Sequence, residues 1–418
     1  METAREPAVG WRVWELIDKN MLCFKAWVLV LVMYLVAVCT LLSPGVRTKE
    51  VSFLAELEKR DVDGSGQCVD NLGVSGSELL RLFRKHLVKV VERRGGDEPA
   101  RVSPYYDSFT EYLFQNGEGA GCSPHRSVVA KLTSGVQPIP VHSHNDYWRS
   151  LPLFEAIAYG ASSVEADVWI VPDVERAGEK ALAVAHSRTY VDPVYRTLDS
   201  LYTTPLLRML DQVNCDETGD ANGVFFDSPE TTLYLFIDFK SADRGLIYQL
   251  LMEKYLKPII DKDYLTYFDM QQGKFVWRQI TVVFTGDFPN DLGVIDRDLK
   301  RGYFGDGKRY VTLESNIMDQ SLTIRNTSVM AAASFSKMLE RCGSSEVKVI
   351  WRGRLARSEI QCLRSMIKTT QEAGIRTRIW GLPNWPLRTV KKLWSQVIED
   401  LHSDVLNVDD LHLASRRF

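Results

Sequence analysis

From position 135 to the C-terminus, short apolar runs alternate with stretches whose apolar residues recur every three to four positions, the pattern of repeated strand–helix units. Strands are predicted over Ile139–Ser143, Ser163–Val168, Ala181–Ala185, Thr232–Lys240, Gln279–Thr285, Tyr310–Leu313, Val347–Trp351 and Arg376–Trp380. Helices are predicted around Leu151–Tyr159 and Gly245–Tyr255, with a long excursion through Leu198–Val213. A last apolar run, Val405–Asp409, makes one strand more than eight, so either one of the set is misplaced, strand six or seven first, or the fold carries an extra element. Such units over 135–418 suit an α/β fold, a parallel (β/α)8 TIM-type barrel, which takes roughly 250 residues before insertions. A doubly wound open sheet uses the same units, but no glycine-rich phosphate loop follows the first strand.

Upstream the pattern changes. Ala26–Leu42 carries no charge and ends at Ser43-Pro44-Gly45, just enough helix at about 1.5 Å per residue to cross a hydrocarbon core of roughly 30 Å. A cleaved signal peptide competes, but the preceding region is long and contains acidic residues. The expected organisation is a tail over 1–25, a single transmembrane anchor over 26–42, a helical linker region over 43–134 and the barrel over 135–418. That makes a single-pass membrane protein, its organelle open and its orientation unsettled by Lys19 and Lys25 before the anchor and Arg47 and Lys49 after it. Within the lead-in, Glu78–Arg93 places Leu79, Leu80, Leu82, Phe83, Leu87, Val88 and Val91 at helical spacing and reads as a packing helix. Its basic set, Arg81, Arg84, Lys85, Lys89, Arg93 and Arg94, would otherwise rest on anionic lipid headgroups. Tyr105–Gln115 reads as a second helix.

The net charge of −3 and the absence of a basic stripe interleaved with aromatics argue against nucleic acid, and nothing points to a protein partner. Seven cysteines without Cys-x-x-Cys or zinc-finger spacing are expected to be buried thiols. A Cys68–Cys122 disulfide would need an oxidising compartment.

The chemistry gathers between Pro140 and His186. Glu165 and Asp167 are two apart on a predicted strand and share a face. Two such carboxylates repel unless a cation joins them, and a divalent Mg²⁺ or Ca²⁺ is the natural partner for oxygen ligands. His144 and His186, at the ends of the first and third predicted strands, would flank that ion as acid and base. Asp238 and Lys240 end the fourth strand, again two apart; the carboxylate would complete the cation site and the ammonium would neutralise a phosphate. His142 shares the strand face of His144 and would contact phosphate, orient His144 or itself be the first catalytic histidine. Asn145 would ligate the cation or donate to phosphate. Arg149 reads as a surface residue before an anion binder.

His144-Asn145-Asp146, the Gly160–Asp167 segment and Val184-Ala185-His186 resemble the first strand ends of glycerophosphodiester phosphodiesterases and their phospholipase C-like relatives. The fuller string His142-Ser143-His144-Asn145-Asp146-Tyr147, with Val164-Glu165-Ala166-Asp167-Val168-Trp169, is similar to the fungal altered inheritance of mitochondria protein 6 family. The resemblance implies His144 and His186 as the catalytic pair, Glu165 and Asp167 as metal ligands, and Trp380 as a tryptophan lining the rim of the site, where a buried packing role is the other reading. Many members carry glutamate where this chain has Asp238, which shortens the reach toward the ion. The expected activity is metal-dependent hydrolysis of a phosphodiester or phospholipid substrate, a glycerophosphodiester or (lyso)phospholipid, at a membrane. The alternative is a non-catalytic scaffold protein that holds an anionic headgroup on the same barrel.

Overall fold

The computed structural model describes residues 74–93, 104–114, 122–216, 221–288, 301–319 and 326–418. The strands of its main sheet are β1 (Ile139–Ser143), β2 (Ala161–Pro172), β3 (Lys180–Val184), β4 (Leu233–Phe239), β5 (Ile280–Gly286), β6 (Thr312–Leu313), β7 (Ser315–Asn316), β8 (Met330–Ser334), β9 (Arg376–Trp380) and β10 (Val405–Val408). Nine of these form a parallel sheet in the order β7-β8-β9-β10-β1-β2-β4-β5-β6. The two ends of that order are consecutive in the chain. Thr312 and Leu313 register with Val283 and Phe284, and Ser315 and Asn316 with Ala331 and Ala332. Only Glu314 lies between them, and its N–H donates to Phe284 O at 2.8 Å. One extended segment therefore touches both flanks, and the sheet is a nearly closed barrel.

Alternation along each strand separates inside from outside. On β4, Leu233, Leu235, Ile237 and Phe239 join the large core under the surrounding helices, while Tyr234 and Phe236 pack inside the barrel with Val283, Met330 and Val405. The interior is layered. Arg376 lies over the Tyr234 ring near the strand N-termini, and Arg378 lies over the Phe236 ring at 4.8 Å, where His142 also meets Phe236 edge-on. Above Phe236 the next inward position on β4 is Asp238. The interior thus turns from apolar to ionic toward the C-terminal ends of the strands.

Two predicted strands are placed differently. Ala181–Ala185 was expected in the ring, but β3 pairs antiparallel with the outer half of β2, from Val168↔Val184 to Pro172↔Lys180, forming a hairpin at the barrel mouth. A short apolar run looks the same in either setting. Val347–Trp351 is helical within Glu346–Arg352, with Val349 buried and Val347 and Trp351 exposed, and Gly353 ends it at φ 64. Its β-branched residues mimic a strand, but one buried position per turn suits a helix. The barrel strand in that region is β8, Met330-Ala331-Ala332-Ala333-Ser334, whose alanines give little strand signal.

Helix α1 (Gly76–Arg93) and helix α2 (Pro104–Phe114) pack into the main core through Leu79, Leu80, Phe109 and Leu113. Phe83 meets Phe109 edge-on at 4.9 Å, and Phe109 meets Phe154 at 5.7 Å. These contacts fix α1 beside the segment that follows β1.

The expected transmembrane anchor over 26–42 lies outside the described residues, as does the tail. Among the described residues no helix is long and apolar enough to cross a membrane. The single-pass membrane localisation read from the sequence is corrected accordingly: no described helix supports it. The buried-thiol expectation is also corrected for four cysteines: Cys122 is bonded to Cys215, and Cys342 to Cys362.

Candidate active site

Asp167 on β2 and Asp238 on β4 are register partners, and Glu165 sits one inward position deeper on β2. One oxygen from each of Glu165, Asp167 and Asp238 lies within 4.8 Å of the others. Asp238 Oδ1 is buried without a hydrogen-bond partner. A hard cation suits a buried set of converging carboxylates with an unspent acceptor, so the residues present fit Mg²⁺ or Ca²⁺. Lys240 stands at the same mouth, its Nζ 2.8 Å from Asp238 Oδ2 and 3.2 Å from Asp167 Oδ2.

The electrostatics follow from crowding. Burial, then the charges of Glu165 and Asp238, push the Asp167 carboxyl up to about 7. Burial also resists ionisation of Glu165, but His142, Arg378 and His144 outweigh it and hold that carboxyl well below the usual range. The Glu165 charge is thus held by the deeper cationic layer, while Asp167 carries the repulsion.

Histidines flank the cluster on two sides. His144 has Nδ1 2.7 Å from Asp409 Oδ1 and Nε2 4.0 Å from Glu165 Oε2. Burial lowers its pKa, yet Asp409 and Glu165 together raise it above the ordinary imidazole value. His186, brought back to the mouth just beyond the β2–β3 hairpin, has Nδ1 3.6 Å from Asp167 Oδ2 and a side chain 56% exposed. His142 is different in kind. It is fully buried, its Nδ1 is 2.7 Å from Ser163 Oγ, and burial with the Arg378 charge lowers its pKa to about 3. A neutral imidazole beneath Glu165 fits a supporting position.

The loop after β1 is fixed by its own hydrogen bonds. Asn145 adopts φ 49, a left-handed conformation that asparagine tolerates, and its N–H donates to Glu165 Oε2 at 2.8 Å. Its side-chain carbonyl accepts from the Tyr147 hydroxyl at 2.5 Å. Buried Asp146 accepts from Ser143 Oγ and the Leu153 N–H, and pairs with Arg149 at 3.3 Å. Arg149, expected at the surface, also donates to Ser143 Oγ and Asp409 O and is mostly buried. Trp380 ends β9 two positions above Arg378 on the inward face. It is 42% exposed, which makes it a mouth residue rather than a packed one, and it joins none of the cluster's hydrogen bonds or ion pairs.

Several residues escaped the sequence reading. Tyr147 is buried, with its hydroxyl 3.3 Å from His186 Nδ1 as well as bonded to Asn145. Arg378 donates to Asn407 Oδ1 and Glu314 Oε1, each at 2.7 Å, while Glu314 Oε2 accepts from Thr285 Oγ1. A charged residue on an inward strand position, such as Arg378 between Thr377 and Ile379, was the available signal.

With this geometry in hand, the chain can be set beside known proteins. Residues 130–306 match the family model described as AIM6-like phosphodiesterase domain. Altered inheritance of mitochondria protein 6 of Zygosaccharomyces rouxii is 52% identical over 360 residues, covering 84% of this chain and 88% of that protein. The chain belongs to the altered inheritance of mitochondria protein 6 family. The Saccharomyces cerevisiae protein of the same name is 44% identical over 398 residues, covering 94% of this chain and 99% of its own length. Among solved structures, a glycerophosphodiester phosphodiesterase from Agrobacterium tumefaciens aligns over 68% of this chain and 100% of its own, with 12% identity and a TM-score of 0.32.

Proposed function

We propose that the chain is a metal-dependent phosphodiester hydrolase acting on a glycerophosphodiester or (lyso)phospholipid. The observation that carries this reading is the carboxylate cluster of Glu165, Asp167 and Asp238 set between two histidines, His144 and His186. A Mg²⁺ or Ca²⁺ held by the three carboxylates would neutralise charge developing on the phosphate. Lys240 adds a fixed positive charge at the same mouth. Asp409 engages His144 Nδ1 and leaves Nε2 facing the cluster, which suits His144 to protonate the leaving alkoxide as the P–O bond breaks. His186 takes the proton of the attacking oxygen, from water or from a hydroxyl adjacent to the phosphate. Asn145 and Tyr147 hold the mouth between the two imidazoles, and Trp380 borders it.

The test is hydrolysis of bis(p-nitrophenyl) phosphate, glycerophosphodiesters and lysophospholipids by the 418-residue chain with Mg²⁺, Ca²⁺ or chelator, beside His186→Ala and Glu165→Ala. Turnover that requires metal and disappears in both variants is expected. Absence of turnover on every substrate, with metal still bound, would overturn the reading.

A further inference from the structure

Beside His144, a cavity of about 380 Å³ that His186 does not line opens between α1 and the loop after β1. It falls within the roughly 300–1,000 Å³ of small-molecule sites, near the lower end. Its floor is shared with the active site, since His144 and Asn145 line both. Arg84 of α1 also lines it, so the helical lead-in contributes a residue to the cavity.

The lining contains no aliphatic side chain, which disfavours an acyl chain. Its charges are already matched. Arg84 pairs with Glu155 at 2.9 Å, Arg149 with Asp146 at 3.3 Å, and His144 with Asp409 at 2.7 Å. A second phosphate would need an unmatched cation and a quaternary ammonium an unmatched carboxylate or aromatic cage. Donors and acceptors remain interleaved around the space. Arg149 Nη2 is buried without a partner, Arg84 also reaches Ser150 Oγ at 3.2 Å, and Glu155 and Asp409 supply acceptor oxygens. Hydroxyl groups both donate and accept, and they alone among common headgroup functions use such a lining throughout. Trp148, half exposed and braced edge-on by Tyr190 at 5.1 Å, offers an indole face for the C–H face of a ring.

We infer that this cavity is the leaving-group subsite and takes a polyhydroxylated ring alcohol of inositol size. The assignment rests on the phosphodiesterase reading above. His144 passes its Nε2 proton to the alkoxide as the P–O bond breaks, His186 accepts the proton of the attacking oxygen, and the polyol departs through the space bounded by Arg84 and Trp148.

The experiment compares glycerophosphoinositol, glycerophosphocholine, lysophosphatidylcholine and bis(p-nitrophenyl) phosphate with the 418-residue chain, Arg84→Gln and Trp148→Ala. Wild type is expected to favour glycerophosphoinositol over glycerophosphocholine by about tenfold or more in kcat/KM, with both variants erasing that ratio. Preference for the choline or acyl substrate, or a ratio unchanged in both variants, would overturn the subsite. If no substrate turns over, the hydrolase reading fails separately, and inositol 1-phosphate binding by calorimetry decides the cavity. Binding weakened about tenfold by Trp148→Ala supports it, and no binding, or binding unaffected by either variant, overturns it. Circular dichroism of both variants separates these outcomes from misfolding.

Discussion

A methyl group on Gly286 would lie 1.9 Å from Asp238 Oδ1, because the end of β5 passes directly against the carboxylate on the neighbouring strand. Gly286 also sits at φ 71, where a side chain costs roughly 1–2 kcal/mol. Gly286→Ala must therefore push Asp238 aside. The expected result is a loss of Mg²⁺ or Ca²⁺ affinity of about 10–100-fold, the scale seen when residues supporting a ligand are altered. Calorimetric titration of the metal reads this directly, and affinity equal to wild type would mean that Asp238 does not hold the ion.

The His144–Asp409 contact sets a pH dependence. Asp409 helps raise the His144 pKa, and an acid catalyst must be protonated, so activity falls as pH rises through that pKa. Asp409→Asn removes a raising influence, and the basic limb of the kcat/KM profile should move to lower pH. Activity near neutrality should fall by about 10–100-fold, up to the lower end of the roughly 10²–10⁴-fold that a general acid contributes. A reduced rate with an unmoved basic limb would assign Asp409 to shape rather than to charge.

Much of the ring and of its carboxylates was legible because both signals are local. Period-two alternation alone puts Glu165 with Asp167, and Asp238 with Lys240, on shared faces. The rest is long-range or locally ambiguous. Asp409 is 265 residues from His144, and no short window contains both. Arg84 read as one of several basic residues on a packing helix, and only the docking of α1 turns it toward Glu155. His186 was identified from a strand-like run that proved to be half of a hairpin, so the residue was found through the wrong element. The alanines of β8 and the two-residue strand β7 carry too little pattern to announce a sheet.

Beneath the site, Arg378 and Glu314 form an ion pair of which both members are mostly buried. Removing one partner leaves the other charge uncompensated, at a cost of about 3–5 kcal/mol. Arg378→Met is expected to lower stability by that amount in urea unfolding, and adding Glu314→Gln should restore much of it. A double variant no more stable than the single one would show that Arg378 acts through its packing on Phe236 instead.

Glu359 supplies a stability test far from the carboxylate cluster. In the helix Arg357–Glu372 it accepts from the Ala356 N–H at 2.7 Å and from Arg352 at 2.5 Å, with Ser344 as a third donor. Burial raises its pKa, but these donors outweigh burial and hold the carboxyl below its usual value. A depressed folded-state pKa means stability that is present above the unfolded value, near 4.3, and is lost as pH falls through the folded one. Glu359→Gln should cost about 1–2 kcal/mol at pH 7, the scale of a lost helix cap and charge-assisted bond. The gap between wild type and variant should narrow as pH is lowered through that carboxylate range. Urea unfolding at both ends of the range measures it, and a gap independent of pH would mean that shape, not the carboxylate charge, holds this helix start.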